Sequence, residues 1–169
     1  MSRKRTALCE ILSFLVLVLF DQWTKALAVS ALKGKPAIEM IRGVLELYYL
    51  ENTGAAFSML ENAQWVFLLI AVAAIGVIAW LLVKIPTTRH MQGLRWCLVF
   101  IAAGAAGNLI DRLFLHYVRD FIYFSIINFP VFNVADIYVT VSTVVLIVLM
   151  LFFYKEEDYD FLKRKKEER

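Results

Sequence analysis

Four stretches of this 169-residue chain are long and apolar enough to cross a bilayer, and they constrain its fold more than any other feature. A hydrocarbon core of about 30 Å needs about 20 consecutive, mainly apolar residues in a helix. With no water to satisfy backbone groups, only helices and closed barrels span it. The segments are 7–28, 63–83, 94–115 and 131–154. The first is interrupted by Glu10 and, near its far end, by Asp21 and Lys25. The second holds no charge. The third carries Arg95 at its start and Asp111 and Arg112 near its end, and the fourth has Asp136 in its first turns. With 61% hydrophobic residues the chain exceeds the roughly 45–50% of soluble domains. These features predict an all-α membrane protein, one integral domain over residues 1–169 with a charged tail at 155–169.

An even number of spans puts both ends on one side, and the distribution of cations says which. Of the 18 Lys and Arg residues, 12 fall on the side of the termini: Arg3, Lys4, Arg5, Lys84, Arg89, Arg95, Lys155, Lys163, Arg164, Lys165, Lys166 and Arg169. The other six, Lys25, Lys33, Lys35, Arg42, Arg112 and Arg119, lie opposite, although those loops are longer. Both termini are therefore expected in the cytoplasm. Asp21, Asp111, Asp120 and Asp136 then converge on the outer membrane surface. Arg3-Lys4-Arg5, the apolar run and Ala26-Leu27-Ala28 also fit a cleavable signal peptide, whose removal would leave three spans in the same orientation.

Other classes find little support. A net charge of +3 does not suggest a nucleic-acid partner. Cys9 and Cys97 lie in apolar stretches without disulfide or zinc-ligand spacing. With only His90 and His116, a metal site would need mostly carboxylates, so no metal or cofactor is expected.

The first outer loop, 29–62, has structure of its own. Residues 44–50 are rich in strand formers, 55–60 can pair with them, and Asn52-Thr53-Gly54 supplies turn chemistry between the two. A small β-sheet at the interface, preceded by a short amphipathic helix at 35–41, is predicted. The tail alternates acidic and basic residues, as a solvated helix end or a disordered segment does.

Several polar residues have structural readings that compete with functional ones. Ala103 and Gly107 form a small-xxx-small surface that lets membrane helices approach. Asn108 can hydrogen-bond between helices, and Asp111 can pair locally with Arg112; both also suit a role beside a site. Asp21 and Lys25 stand four apart in the favourable acid-first order, as a structural ion pair or with Lys25 anchoring a carbonyl or phosphate. Asn52 suits a turn, or holds a peptide backbone.

Asp120 and Asp136 differ, because neither has a cation at helical spacing and Arg119 points away from its neighbour in a strand or a helix. An ionisable group at membrane depth costs roughly 2.5–3.5 kcal/mol on insertion scales. Two carboxylates in one desolvated pocket share a proton and titrate as a unit. Such a pair can activate water and polarise a carbonyl. It also suits a proton or ion path, or a structural network. A proton path calls for acids through the bilayer depth, whereas the middles of the second and third spans are uncharged. A non-enzymatic scaffold or lipid-binding partner accounts for the small-residue surface but not for four acids with Asn52, Asn108 and Asn133 at one face.

Five blocks taken together resemble the bacterial lipoprotein signal peptidase (signal peptidase II) family, in its order. They are Asp21-Gln22-Trp23-Thr24-Lys25, Glu51-Asn52-Thr53-Gly54-Ala55-Ala56-Phe57, Gly104-Ala105-Ala106-Gly107-Asn108-Leu109-Ile110-Asp111-Arg112, Val118-Arg119-Asp120-Phe121 and Phe132-Asn133-Val134-Ala135-Asp136. The resemblance covers about 20–140 and implies an intramembrane aspartic endopeptidase of the bacterial inner membrane. Such an enzyme removes the signal peptide from a prolipoprotein just before a diacylglyceryl-modified cysteine, without a cofactor and as a monomer among membrane lipids. By motif match Asp120 and Asp136 would be catalytic, with Asp21, Lys25, Asn52, Gly54, Asn108, Asp111, Arg112 and Asn133 supporting, orienting or binding. Phe57 and Tyr48 or Tyr49 would cradle the peptide. The first block belongs to the mature family pattern, which argues against cleavage of the first span. Arg119 departs from the pattern, standing where an apolar residue often precedes the first aspartate.

Overall fold

A computed structural model describes residues 2–54 and 64–162. Four helices are long and apolar enough to cross a membrane: α1 (Arg3–Leu32), α2 (Gln64–Lys84), α3 (Gln92–Phe114) and α4 (Val134–Phe152). The third is the axis of the bundle. It packs on each of the other three, and half of its apolar window is buried, against 22% for α1, 11% for α4 and 6% for α2. Large apolar side chains such as Leu15, Leu19, Val77, Val144 and Leu151 project outward. An aqueous domain does not expose contiguous apolar surface of this kind; a bilayer covers it at no penalty.

Small residues on α3 make the close packing possible. A methyl group on Gly104 would overlap the Ala135 carbonyl and Val139 of α4, and one on Gly107 would meet the Asp21 carboxylate. The small-residue surface read from the sequence is thus real, and at Gly107 it also makes room for a charged group.

At one end of the bundle lies a three-stranded antiparallel sheet, ordered β1 (Ile38–Ile41), β2 (Leu45–Asn52) and β3 (Val118–Tyr123). The expected sheet is present with different members. Residues 38–41 are a strand instead of part of an amphipathic helix; Gly43, at φ +68°, lies in the turn that brings β2 back along them. The expected partner at 55–60 lies outside the described residues. On the side away from β1, β2 pairs with β3, from the loop between α3 and α4. Phe132 bridges to Ile122, so the chain stays extended through Asn133. This is why α4 starts at Val134, three residues later than its hydropathy predicts.

The opposite end is tied by charges that hydropathy treats as interruptions. Arg95 donates to both oxygens of Glu10, each at 2.7 Å, and to the Leu82 and Ile85 carbonyls at 2.9 and 2.7 Å. One guanidinium thus joins α1, α3 and the end of α2. Removing one partner of a buried pair leaves an orphan charge costing about 3–5 kcal/mol. Arg95→Leu is expected to destabilise the fold by that amount, read as a large fall in the thermal midpoint in detergent.

Of the tail, residues 163–169 lie outside the described residues, and the part before them is largely exposed but docked. Glu156–Leu162 forms a 3-10 helix whose Tyr159 and Phe161 pack on the cluster of Ile78, Ile85, Met91, Leu94, Leu98, Ala102 and Tyr154. His90 and Asp158 lie 3.0 Å apart beside it. Apolar side chains within the charged run dock it.

Candidate active site

The polar residues singled out in the sequence meet where α1, α3 and α4 face the sheet. Local structure sets two of them directly. Asn133 is the N-cap of α4, its side chain accepting from the Asp136 N–H at 3.1 Å. Asp136 returns the interaction, accepting from the Asn133 N–H at 3.0 Å. This capping box pins the Asp136 side chain at the positive end of the helix dipole. Asp120 comes from the middle of β3 and is 2% exposed.

Asparagine amides join the two carboxylates. Asn133 Nδ2 donates to Asp120 Oδ1 at 2.6 Å and to Asn108 Oδ1 at 3.1 Å. Asn108 Nδ2 donates to Asp136 Oδ1 at 2.8 Å. Asn52, at the end of β2, donates to Asp120 Oδ2 at 2.7 Å, while its Oδ1 accepts from the Gly54 N–H at 2.9 Å. The turn role and the site role of Asn52 therefore coexist, and Gly54 supplies the φ of +99° that the turn requires. Burial, reinforced by the Asp136 charge, pushes the Asp120 carboxyl up to about 6, although the Asn52 and Asn133 amides pull it down.

Behind the carboxylates is an ionic layer. Lys25 is fully buried, 2.8 Å from Asp21 Oδ2, 2.8 Å from Asn108 Oδ1 and 3.6 Å from Asp111 Oδ2. The ion pair expected between Asp21 and Lys25 exists, and its lysine reaches the site. Asp21 Oδ1 accepts from the Ala135 N–H at 3.0 Å, fixing the first turn of α4. Local pairing of Asp111 with Arg112 does not occur. Asp111 pairs with Arg119 at 2.6 Å. Arg112 instead lies over the Phe67 ring at 5.4 Å, donates to the Asn108 carbonyl at 3.5 Å and acts on Asp136 and Asp120 through space. Consecutive residues on a helix point about 100° apart, so Asp111 faces Lys25 and Arg119 while Arg112 faces Phe67.

Two members of the site are not evident from the sequence. Gln22 donates to Gly107 O, Asp111 Oδ1 and Asp21 Oδ2 at 3.0, 3.1 and 3.2 Å, and accepts from Arg119 at 2.8 Å. Arg119, in sequence only a departure from the family pattern, is a structural partner of the ionic layer. A polar amide beside Asp21 in an apolar helix is the available signal for Gln22. For Arg119 it is the unmatched Asp111, once its neighbour is recognised as facing elsewhere. Among the described residues, no three side chains of metal-ligating type converge.

A cleft of about 760 Å³ opens beside Asn52, lined by Tyr48, Leu50, Thr53, Tyr123, Phe129 and Val131 among others. Tyr48 belongs to this face, whereas Tyr49 packs toward Ala28, Leu32 and Phe121 on the other. Phe57, the other expected cradle residue, lies outside the described residues.

The profile of the family described as "Signal peptidase (SPase) II" matches residues 13–152. The chain belongs to the signal peptidase II family. Two lipoprotein signal peptidases of Streptococcus pyogenes, from serotypes M5 and M18, are each 40% identical to it over 149 residues, covering 88% of this chain and 95% of theirs. Two solved structures of a bacterial membrane enzyme, obtained in meso at 1.9 and 2.3 Å, superpose with TM-scores of 0.77 and 0.75 at 28% identity. They cover 86% and 95% of this chain and 94% of each solved chain. Membership in signal peptidase II makes the chain a membrane peptidase, and its four apolar helices agree with a multi-pass protein.

Proposed function

We propose that this signal peptidase II is an intramembrane aspartic endopeptidase, with Asp120 and Asp136 as its catalytic dyad. It removes the signal peptide from a prolipoprotein by cutting before a diacylglyceryl-modified cysteine. The observation that carries the reading is the pairing of Asp120 and Asp136 through the Asn133 and Asn108 amides, at the end of a bundle otherwise clad in apolar side chains. A substrate with an apolar signal helix and two acyl chains enters laterally from the bilayer, and its scissile bond lies near the interface. The bias of Lys and Arg supports termini in the cytoplasm, with the dyad at the extracytoplasmic face of the inner membrane. The two aspartates and the amides that join them all come from one chain, which supports a monomer.

In this reading the two carboxylates do different work. Asp136, at a helix N-terminus and accepting a backbone N–H and an amide, is the ionised member that takes a proton from water. Asp120, the carboxyl that burial pushes to about 6, holds the shared proton and polarises the scissile carbonyl. Water adds to the carbonyl carbon, the tetrahedral intermediate collapses with a proton passed to the cysteine nitrogen, and no covalent enzyme intermediate forms. Arg112, which acts on both aspartates through space, suits the substrate's carbonyl oxygens. The Tyr48 cleft suits the chain that follows the cysteine.

The test is cleavage of diacylglyceryl-modified prolipoprotein by the purified chain in detergent, beside the unmodified precursor. Product from the lipidated substrate alone supports the reading; equal cleavage of both would refute recognition of the lipid. The pH profile adds a second check. Asn52 donates to Asp120, which favours its ionised form, so Asn52→Ala raises that carboxyl further above its ordinary value. The protonated form then persists to higher pH. The alkaline limb of kcat/KM is expected to move up in Asn52→Ala, and a downward move would contradict the assignment of Asp120 as the acid.

A further inference from the structure

Asp111 is 1% exposed and has two cations within reach, yet they are used unequally. Arg119 covers both carboxylate oxygens, with Nη2 2.6 Å from Oδ1 and Nε 3.1 Å from Oδ2, and its backbone N–H adds a donor to Oδ2 at 3.0 Å. A planar guanidinium fork matches a carboxylate in a way that a single ammonium does not. Lys25 consequently stands off Asp111 at 3.6 Å and makes its short contacts, both 2.8 Å, with Asp21 and Asn108 Oδ1. The four side chains Asp21, Lys25, Asp111 and Arg119 balance to zero charge in the protein interior.

The Lys25 contact decides the direction of the whole amide chain. A lysine ammonium has donors only, so the Asn108 atom facing it must be the oxygen. Asn108 Nδ2 is thereby turned to Asp136. The same Oδ1 accepts from Asn133 Nδ2, whose other contact is Asp120. We infer that Arg119 is a positioning residue for the dyad: by occupying both oxygens of Asp111 it keeps Lys25 on Asn108, and so fixes which end of the Asn108 amide meets Asp136. This rests on the proposed dyad and adds to it a residue outside the matched pattern. The other charged or titratable groups facing this layer are Asp120 on β3, Asp136 and Tyr138 on α4, Arg112 on α3 and Tyr49 on β2.

The test compares Arg119→Leu, Arg119→Lys and the double variant Arg119→Leu with Asp111→Asn, as full chains in detergent on lipidated prolipoprotein. In Arg119→Leu the uncovered Asp111 draws Lys25 away, Asn108 loses its fixed orientation, and a donor that favours the ionised member of the dyad is lost. kcat is expected to fall about tenfold, the scale of one charge-assisted hydrogen bond, with KM changed by less than about twofold. The acid limb of kcat moves to higher pH. Arg119→Lys restores the charge without the fork and returns kcat and the limb only in part. The double variant removes the rival acceptor, so Lys25 stays on Asn108 and the limb returns toward wild type even if Arg119→Leu folds poorly. A wild-type kcat and acid limb in Arg119→Leu would overturn the inference, as would a lower kcat whose acid limb does not move. Asp136→Asn run alongside keeps the two readings apart. If it turns over substrate the dyad itself fails; if it is dead while Arg119→Leu behaves as wild type, only the role of Arg119 fails.

Discussion

Asp120→Asn and Asp136→Asn are each expected to abolish cleavage of lipidated prolipoprotein, lowering kcat by about 10³-fold or more, while the proteins remain folded. Each substitution keeps the side-chain shape and removes one of two non-interchangeable functions. In Asp136→Asn the amide cannot take a proton from water, and in Asp120→Asn it cannot hold the shared proton. Their stabilities separate chemistry from folding. A carboxyl raised in the folded state from 3.8 to about 6 contributes stability that is present below the lower value and is lost as pH rises through the upper one. Above neutral pH Asp120 therefore weakens the fold, by at most about 3 kcal/mol. Asp120→Asn is expected to raise the thermal midpoint at alkaline pH as it removes activity. Asp136→Asn breaks half of a capping box and is expected to lower the midpoint by the about 1 kcal/mol such caps contribute. Turnover surviving in either variant would place the chemistry elsewhere, and a fall in the Asp120→Asn midpoint at alkaline pH would contradict the buried, protonated carboxyl.

The membrane architecture and the site are legible in the sequence to different depths, for physical reasons. Hydropathy finds spanning helices because a bilayer demands an unbroken length of apolar residues, and α2 and α3 begin and end within a few residues of their expected limits. It misjudges α4 because Val131 and Phe132 are apolar for another purpose, the extended bridge to β3. Strand β3 is six residues long with Arg119 and Asp120 in its middle, so alternation alone gives no sign of it. Its pairing depends on β2, which is distant in sequence. The acids and asparagines of the candidate site stand out because polar groups at membrane depth are expensive. Pairings among charges do not, since Glu10 with Arg95 and Asp111 with Arg119 join elements whose packing must be known first. Adjacency suggests Asp111 with Arg112; helix geometry sends those two side chains in different directions.

The lysine at the centre of the ionic layer supplies the second large effect. In Lys25→Met, Asp21 and Asp111 face Arg119 alone, and one buried carboxylate is left without a counter-charge, at a cost of about 3–5 kcal/mol. Unfolding in detergent should show this as a steep loss of thermal stability. Turnover is expected to fall about 10²-fold in the protein that remains folded, because Asn108 Oδ1 loses the cation that orients it and Asp136 loses a fixed donor. Charge balance and amide orientation are separable by adding Asp21→Asn. That change removes the orphan charge, and the amide it introduces keeps an oxygen for the Ala135 N–H at the start of α4. The double variant is expected to regain much of the stability and little of the turnover, since nothing replaces the ammonium on Asn108. Recovery of both together would mean that Lys25 serves only to neutralise Asp21. Recovery of stability alone would mean that a buried cation, far from being a mere counter-ion, sets the direction of the amides that hold the two aspartates.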